Sequence, residues 1–362
     1  MKNKNSNVKA TGVLLVLILM LMLGLIYINN ANSKGVSGSK EVKSLSLIGQ
    51  REAQLKNSLI CSVDDLLVEA TGVVIKARNL KGEVVWNKTL VSKVVSMKSE
   101  ARNLYLLDES KKLFCISIEG NIAWDKQLEG EIKELHTDRS GDILVDSTFN
   151  GVIRIQIISD KGVDEGSMAL DNAEVIAFAS GKDENSLSLI DISSQQLKTK
   201  IITLNKKGDM VWSDNLDNQI VPMLGYSKDN ELIAIGEKAI YMYKDKDRKQ
   251  NKLELNKTIY SASIREAGTT VIVRSRNGFE AISYNDNFKQ LGLLQIEQAP
   301  KGIILDKNNY IIYYREKLLL VDLKGSIKGE YKSIPEINSV YFGSESSIIA
   351  VSNRLIQKLE AE

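Results

Sequence analysis

The chain has 362 residues, with 48 Lys and Arg against 46 Asp and Glu, a net charge of +2. That near-balance leaves no basic stripe for nucleic acid. A single histidine rules out multi-histidine metal centres, and two widely separated cysteines rule out CxxC redox chemistry.

The first 33 residues contain Lys2, Lys4 and Lys9 and no acid, and no charge occurs from Ala10 to Ser33. The apolar run Val13 to Ile28 approaches the lower limit for a bilayer-spanning helix, about 17 residues. Lysines ahead of it keep the N-terminus cytoplasmic. The expected layout is a cytoplasmic tail at 1–10, a transmembrane signal anchor at 11–28, a flexible polar linker at 29–41 and an extracytoplasmic domain at 42–362. A cleaved signal peptide is the alternative, against which stand the length of the run and the poor cleavage site Asn29-Asn30-Ala31. No cysteine follows the run, so a lipoprotein anchor is excluded. Without the three N-terminal lysines, 45 basic residues face 46 acidic ones, and the ectodomain is close to neutral.

Beyond the linker the chain repeats. All three tryptophans sit four residues after a turn glycine: Gly82 to Trp86, Gly120 to Trp124 and Gly208 to Trp212. The same turn recurs at Gly162 and Gly325, and weaker versions lie at Lys244 to Asp247 and Asn285 to Asn287. The interval is about 40 residues, and each unit holds short Ile-, Val-, Leu- and Tyr-rich runs without helical periodicity. Unit two reads Leu104 to Leu107, Leu113 to Ile116 and Ile122 to Trp124; unit seven reads Tyr310 to Tyr314 and Leu318 to Val321. Three residues before each turn glycine stands Asn79, Ser117, Ser159, Asn205 or Asp322, side chains able to bond the turn's own backbone. The fold class is therefore all-β: a β-propeller of four-stranded blades. After Gly325 three strand candidates remain (Ile337 to Phe342, Ser347 to Val351, Leu355 to Leu359), and the fourth is expected from Val42 to Ile48. This gives eight blades closed by the two ends of the chain, with seven as the alternative.

The stretch Ala77-Arg78-Asn79-Leu80-Lys81-Gly82-Glu83-Val84-Val85-Trp86 resembles the tryptophan-docking repeat of quinoprotein-type (PQQ-like) propellers. It departs from that repeat at Asn79, which stands for an acid, and at Lys81, which stands for Thr; Gly166 and Gly329 occupy the Trp place in two units. The family includes cofactor-dependent dehydrogenases and cofactor-free scaffolds. The layout as a whole resembles single-pass membrane-anchored propellers of Gram-positive bacteria. The tryptophans are expected to staple adjacent blades.

No catalytic constellation stands out. His136 lacks a GxSxG partner, there is no P-loop, and the Asp-rich turns lack EF-hand spacing. Cys61 and Cys115 read either as buried free thiols or as a disulfide. No metal or cofactor is expected. A binding surface is expected where the hairpins between second and third strands gather, at Glu69, Asp108, Glu109, Asp146, Glu237, Arg274, Arg276, Arg315, Glu316 and Arg354, acidic in early units and basic in late ones. The leading reading is a non-catalytic scaffold in the cell envelope that binds a protein partner or a ligand. The alternatives are a quinoprotein-like enzyme, or a ligand sensor coupled to a membrane partner.

Overall fold

The computed structural model describes residues 44–52, 58–64, 66–79, 81–100, 102–137, 141–191, 197–244, 249–265, 267–333, 335–343, 347–352 and 355–361. The predicted tail, anchor and linker lie outside them. Among the described residues no helix is long and apolar enough to cross a membrane.

The β-rich runs pair into eight antiparallel sheets of four strands. In seven blades the strands follow chain order, here called A to D from first to last. Blade 8 takes A, B and C from Ile337–Phe342, Ile348–Ser352 and Leu355–Ala361, and D from Leu45–Glu52 at the start of the domain. The two ends of the chain therefore share one sheet, which leaves no open seam in the ring. The eight-blade reading holds; among the described residues the closing strand is Leu45–Glu52, and Val42 lies outside them.

The A strands contact one another from blade to blade, which places them nearest the axis. The D strands are outermost: Val84–Thr89, Ile122–Gln127 and Met210–Asp217 expose every other residue. Between them lie eight apolar clusters, each shared by two neighbouring blades. The cluster of Cys61, Val68, Leu104 and Ile116 joins blades 1 and 2. That of Leu67, Ile349, Val351 and Ile356 joins blade 8 back to blade 1. Middle strands therefore bury both faces and read as continuous apolar runs, such as Leu232–Ile235. Alternation puts Cys61 in the layer between blades 1 and 2 and Cys115 in the layer between blades 2 and 3, so the two thiols face different layers and stay free. Burial pushes Cys61 up to about 12 and Cys115 to about 11, leaving both as unreactive thiols.

The C–D turns have the predicted chemistry. Asn79 Oδ1 accepts from the N–H groups of Lys81 and Glu83, both at 3.0 Å, and Gly82 N donates to Asn79 O. Asn205 and Asp322 repeat the arrangement. So does Asn285, whose Oδ1 accepts from Asn287 and Lys289. There Phe288 takes the glycine place at φ 57°, a conformation costly for a bulky side chain, which is why the turn looked weak in sequence. Of the other weak turn, residues 245–248 lie outside the described ones.

Seven D strands carry a β-bulge in their first half, six of them at the opening residue, and the residue directly after it is always Trp or Gly: Gly49, Trp86, Trp124, Gly166, Trp212, Gly292 and Gly329. Trp86 lays its ring on Gly120 of the next blade, where an added Cβ would lie 2.7 Å from the indole, and its Nε1 donates to Ile118 O at 2.8 Å. Trp124 treats Gly162 and Asp160 O identically, at 2.8 and 2.7 Å. Trp212 instead meets Tyr243 edge-on at 4.7 Å. At Gly166 and Gly292 the neighbouring turn's own backbone closes in: an added Cβ would stand 1.8 Å from Lys207 O and 2.2 Å from Lys324 C. Tryptophan bridges a wide gap between blades, and glycine permits a narrow one.

Candidate interaction face

Antiparallel A-to-D order puts every B–C hairpin and every D-to-A link on one face of the ring, and the A–B and C–D turns on the other. On the hairpin face these segments are tied together by backbone bonds. Val94 N donates to Gly72 O at 3.0 Å and Glu109 N to Lys93 O at 2.8 Å. Ile259 N donates to Glu237 O at 2.8 Å, Arg274 N to Thr258 O at 3.0 Å and Ile337 N to Arg315 O at 2.7 Å. Among the described residues several links bond the hairpin before them, and some bond the one after, so much of the face is preformed.

The residues predicted for this face divide into three groups. Glu109, Glu237, Arg276, Arg315 and Glu316 lie in its loops, and Arg274 lies exposed in strand B of blade 6 (Gly268–Ser275). Arg315 Nε is paired with Glu336 at 3.0 Å, and Lys301 holds the same carboxylate at 3.2 Å. Those pairs hold the Glu336 carboxyl below its usual range, chiefly through the two hydrogen bonds. Arg274 and Arg276 have no such partner among the described residues. A second group serves structure. Asp108 is buried, and its Oδ1 accepts from Ser110 Oγ at 2.7 Å and Lys112 N at 2.9 Å, which fixes its hairpin. Glu69 sits within strand B of blade 1 (Leu66–Thr71) beside Arg78, 4.0 Å away. Arg354 lies outside the described residues. An even split into acidic and basic halves is therefore not what the face presents, because loop capping and ion pairing take up part of each sign.

Asp146 stands alone. It belongs to strand B of blade 3 (Ile143–Phe149), not to a loop, and is 5% exposed. Its Oδ1 has no hydrogen-bond partner among the described residues. Directly across the pairing stands Glu134 of strand A, and Glu174 of blade 4 is near enough to act on it. Burial raises the carboxyl above its ordinary range; Lys133 opposes this, and Glu134 and Glu174 add to it. Like charges facing each other across a strand pair destabilise a sheet. His136, two residues beyond Glu134, packs on Phe178 with ring centroids 4.9 Å apart and lies 3.8 Å from Glu134. Burial lowers its pKa against the pull of Glu134, so the imidazole is neutral near pH 7.

Sequence reading missed the apolar part of the face. Five A strands begin with a bulge, and two bulge residues, Val95 (47% exposed) and Tyr260 (53%), turn apolar surface outward. Val91, in the link between blades 1 and 2, is fully exposed, and Tyr260 stacks edge-on against Phe279 at 5.1 Å. A bulge breaks the period of two, so alternation alone assigned these side chains to no face. Among the described residues no group of three or more His, Cys, Asp or Glu is placed to hold a metal.

Residues 39–360 match the family described as a family of unknown function, DUF5711, and the chain belongs to that family. No curated protein sequence matches it. In structure the chain is similar to BamB from Moraxella catarrhalis, with a TM-score of 0.61 and 11% identity over 87% of this chain and 99% of that one. It is similar to the C-terminal WD40 domain of Sif2, at 0.63 and 12% over 89% and 99%. The computationally designed protein Ika8 is similar too, at 0.64 and 11% over 86% and 99%. At such identities the likeness is one of fold.

Proposed function

We propose that this chain is a non-catalytic interaction scaffold, held at the outer side of a membrane by residues 11–28, whose hairpin face docks an envelope protein. The observation that carries the reading is a preformed face on which exposed Val91, Val95 and Tyr260 occur with the unpaired guanidinium groups of Arg274 and Arg276. Exposed apolar residues with Tyr and Arg are what protein interfaces enrich. Loops already bonded to one another lose little entropy on binding. The propeller fold shared with BamB and a WD40 domain is compatible with this role. The finer kinship, to the quinoprotein-type repeat, is supported by the docking of Trp86 and Trp124 on the turns of the following blades; we read the chain as a cofactor-free relative of that repeat.

The test is crosslinking in membranes with the full chain as bait, read by mass spectrometry beside an anchor-only control. A partner captured reproducibly should be reduced at least tenfold by Tyr260→Asp or by Arg274→Glu with Arg276→Glu. Capture that both variants leave unchanged overturns the assignment to this face.

A further inference from the structure

The outer strands carry a polarity gradient along their length. Strand D starts at the C–D turn side of the ring and runs toward the hairpin face. Ahead of the Trp or Gly position its exposed residues are mostly apolar. They are Val84 and Val85 in blade 1, Ile122 in blade 2, Met210 and Val211 in blade 4, and Leu47 and Ile48 in blade 8, all 41–54% exposed. Beyond that position the exposed residues are polar, such as Asn87 and Thr89 in blade 1 and Asp125 and Gln127 in blade 2. The bulge enlarges the apolar surface, because its extra residue breaks the alternation and faces out beside its neighbour. That residue is Ile48, Val85, Val211 and, in blade 6, Leu291. Blades 3 and 7 differ, with Glu165 and Lys328 at the bulge, but Val163 stands 57% exposed just ahead of the blade 3 strand. Trp86 lies on Gly120 and Trp124 on Gly162, so Val85, Ile122 and Val163 follow one another along the rim as one band.

The domain's first strand enters at this same edge. Leu45 pairs with Ala361 on the C–D side, and Glu52 lies toward the hairpin face. Ser44 is sixteen positions past Ile28, the end of the apolar run. Even fully extended, that stretch spans about 55 Å at most. We propose that the C–D side of the rim rests on the lipid surface, with its apolar band in the headgroup region of the bilayer that holds residues 11–28. This rests on the anchoring proposed above, but not on a partner at the hairpin face. Charge does not drive the contact, because the turns on this side set a lysine near an acid: Lys81 and Glu83, Lys161 and Asp160, Lys207 and Asp209. Apolar area sets it instead, so zwitterionic lipid is enough. A ring held this way turns its hairpin loops away from the bilayer.

The test reconstitutes the full chain in phosphatidylcholine vesicles with and without a spin-labelled lipid. A fluorophore is attached at Val85→Cys or Val211→Cys on the rim, or at Val91→Cys on the hairpin face; the two native thiols are buried. Emission from the two rim labels is expected to fall about twofold or more with the spin-labelled lipid, in low and high salt alike, while the label at Val91→Cys is unchanged. Val85→Asp with Val211→Asp, read from a label at Ile122→Cys, is expected to lose most of the quenching. Chains that float with the vesicles but show no rim quenching, or equal quenching at the hairpin face, overturn the proposal and leave the anchor standing. Quenching that vanishes in high salt, or that survives the aspartate pair, overturns it as well. Energy transfer between labels on separate chains, without quenching by lipid, makes a second copy the occupant and also overturns it. Chains that do not float with the vesicles remove the anchor and this proposal together.

Discussion

Asp146 carries the clearest unmet demand in the molecule. Its carboxyl is buried, one oxygen lacks a partner, and another carboxylate stands opposite. The folded state raises its pKa, so it binds the proton more tightly than the unfolded chain does. The stability contributed is complete below the unfolded value and is lost as pH rises through the folded one. Asp146→Asn removes the charge and supplies an amide that can donate to Glu134. The variant should unfold in urea about 1 kcal/mol less readily than the parent at pH 7.5, a typical value for one buried polar contact. The gain should vanish at pH 4. A gain of equal size at both values would show that charge is not the cause. Proteins keep such residues where binding repays them, so the same variant belongs in the crosslinking comparison.

At the scale of the strand, the alternation of Trp and Gly after the D-strand bulge sets the spacing of neighbouring blades. Gly166→Ala should cost about 2 kcal/mol or more, since the added methyl meets the backbone of Lys207, which cannot rotate away. Trp86→Ala should cost about 2–3 kcal/mol, through the lost ring contact and the unpaired Ile118 carbonyl. Thermal unfolding of the two variants checks both, and a neutral Gly166→Ala would mean that the turn does not seat on the strand. Much at this level was legible beforehand. The turn glycines, their capping residues and the strands Leu104 to Leu107 and Ile337 to Phe342 follow from local chemistry. Phe288 in a glycine place and the extra residue in each bulge did not, because both are imposed by pairing with another strand.

Across the whole molecule, stability depends on closure. Every apolar layer is shared by two blades, and the last is completed only when Leu45–Glu52 joins blade 8. Removing residues 1–52 should leave the edge of Leu355–Ala361 unpaired. The shortened protein is expected to melt at a lower temperature and to associate through that edge on size exclusion. A monomer with unchanged melting temperature would show that the seam strand is dispensable.

The sequence by itself determined the repeat, the turn chemistry, the four-stranded unit and the closing of the ring by its two ends, because those are set by residues near one another or by counting units. Tertiary structure alone decided which charges on the hairpin face are free, that Asp146 is buried against Glu134, and how closely neighbouring blades approach at Gly166 and Gly292. Each of these depends on contacts between residues on different strands or different blades. An ion pair or a gap between blades is a property of two surfaces brought together, and no stretch of one strand encodes it.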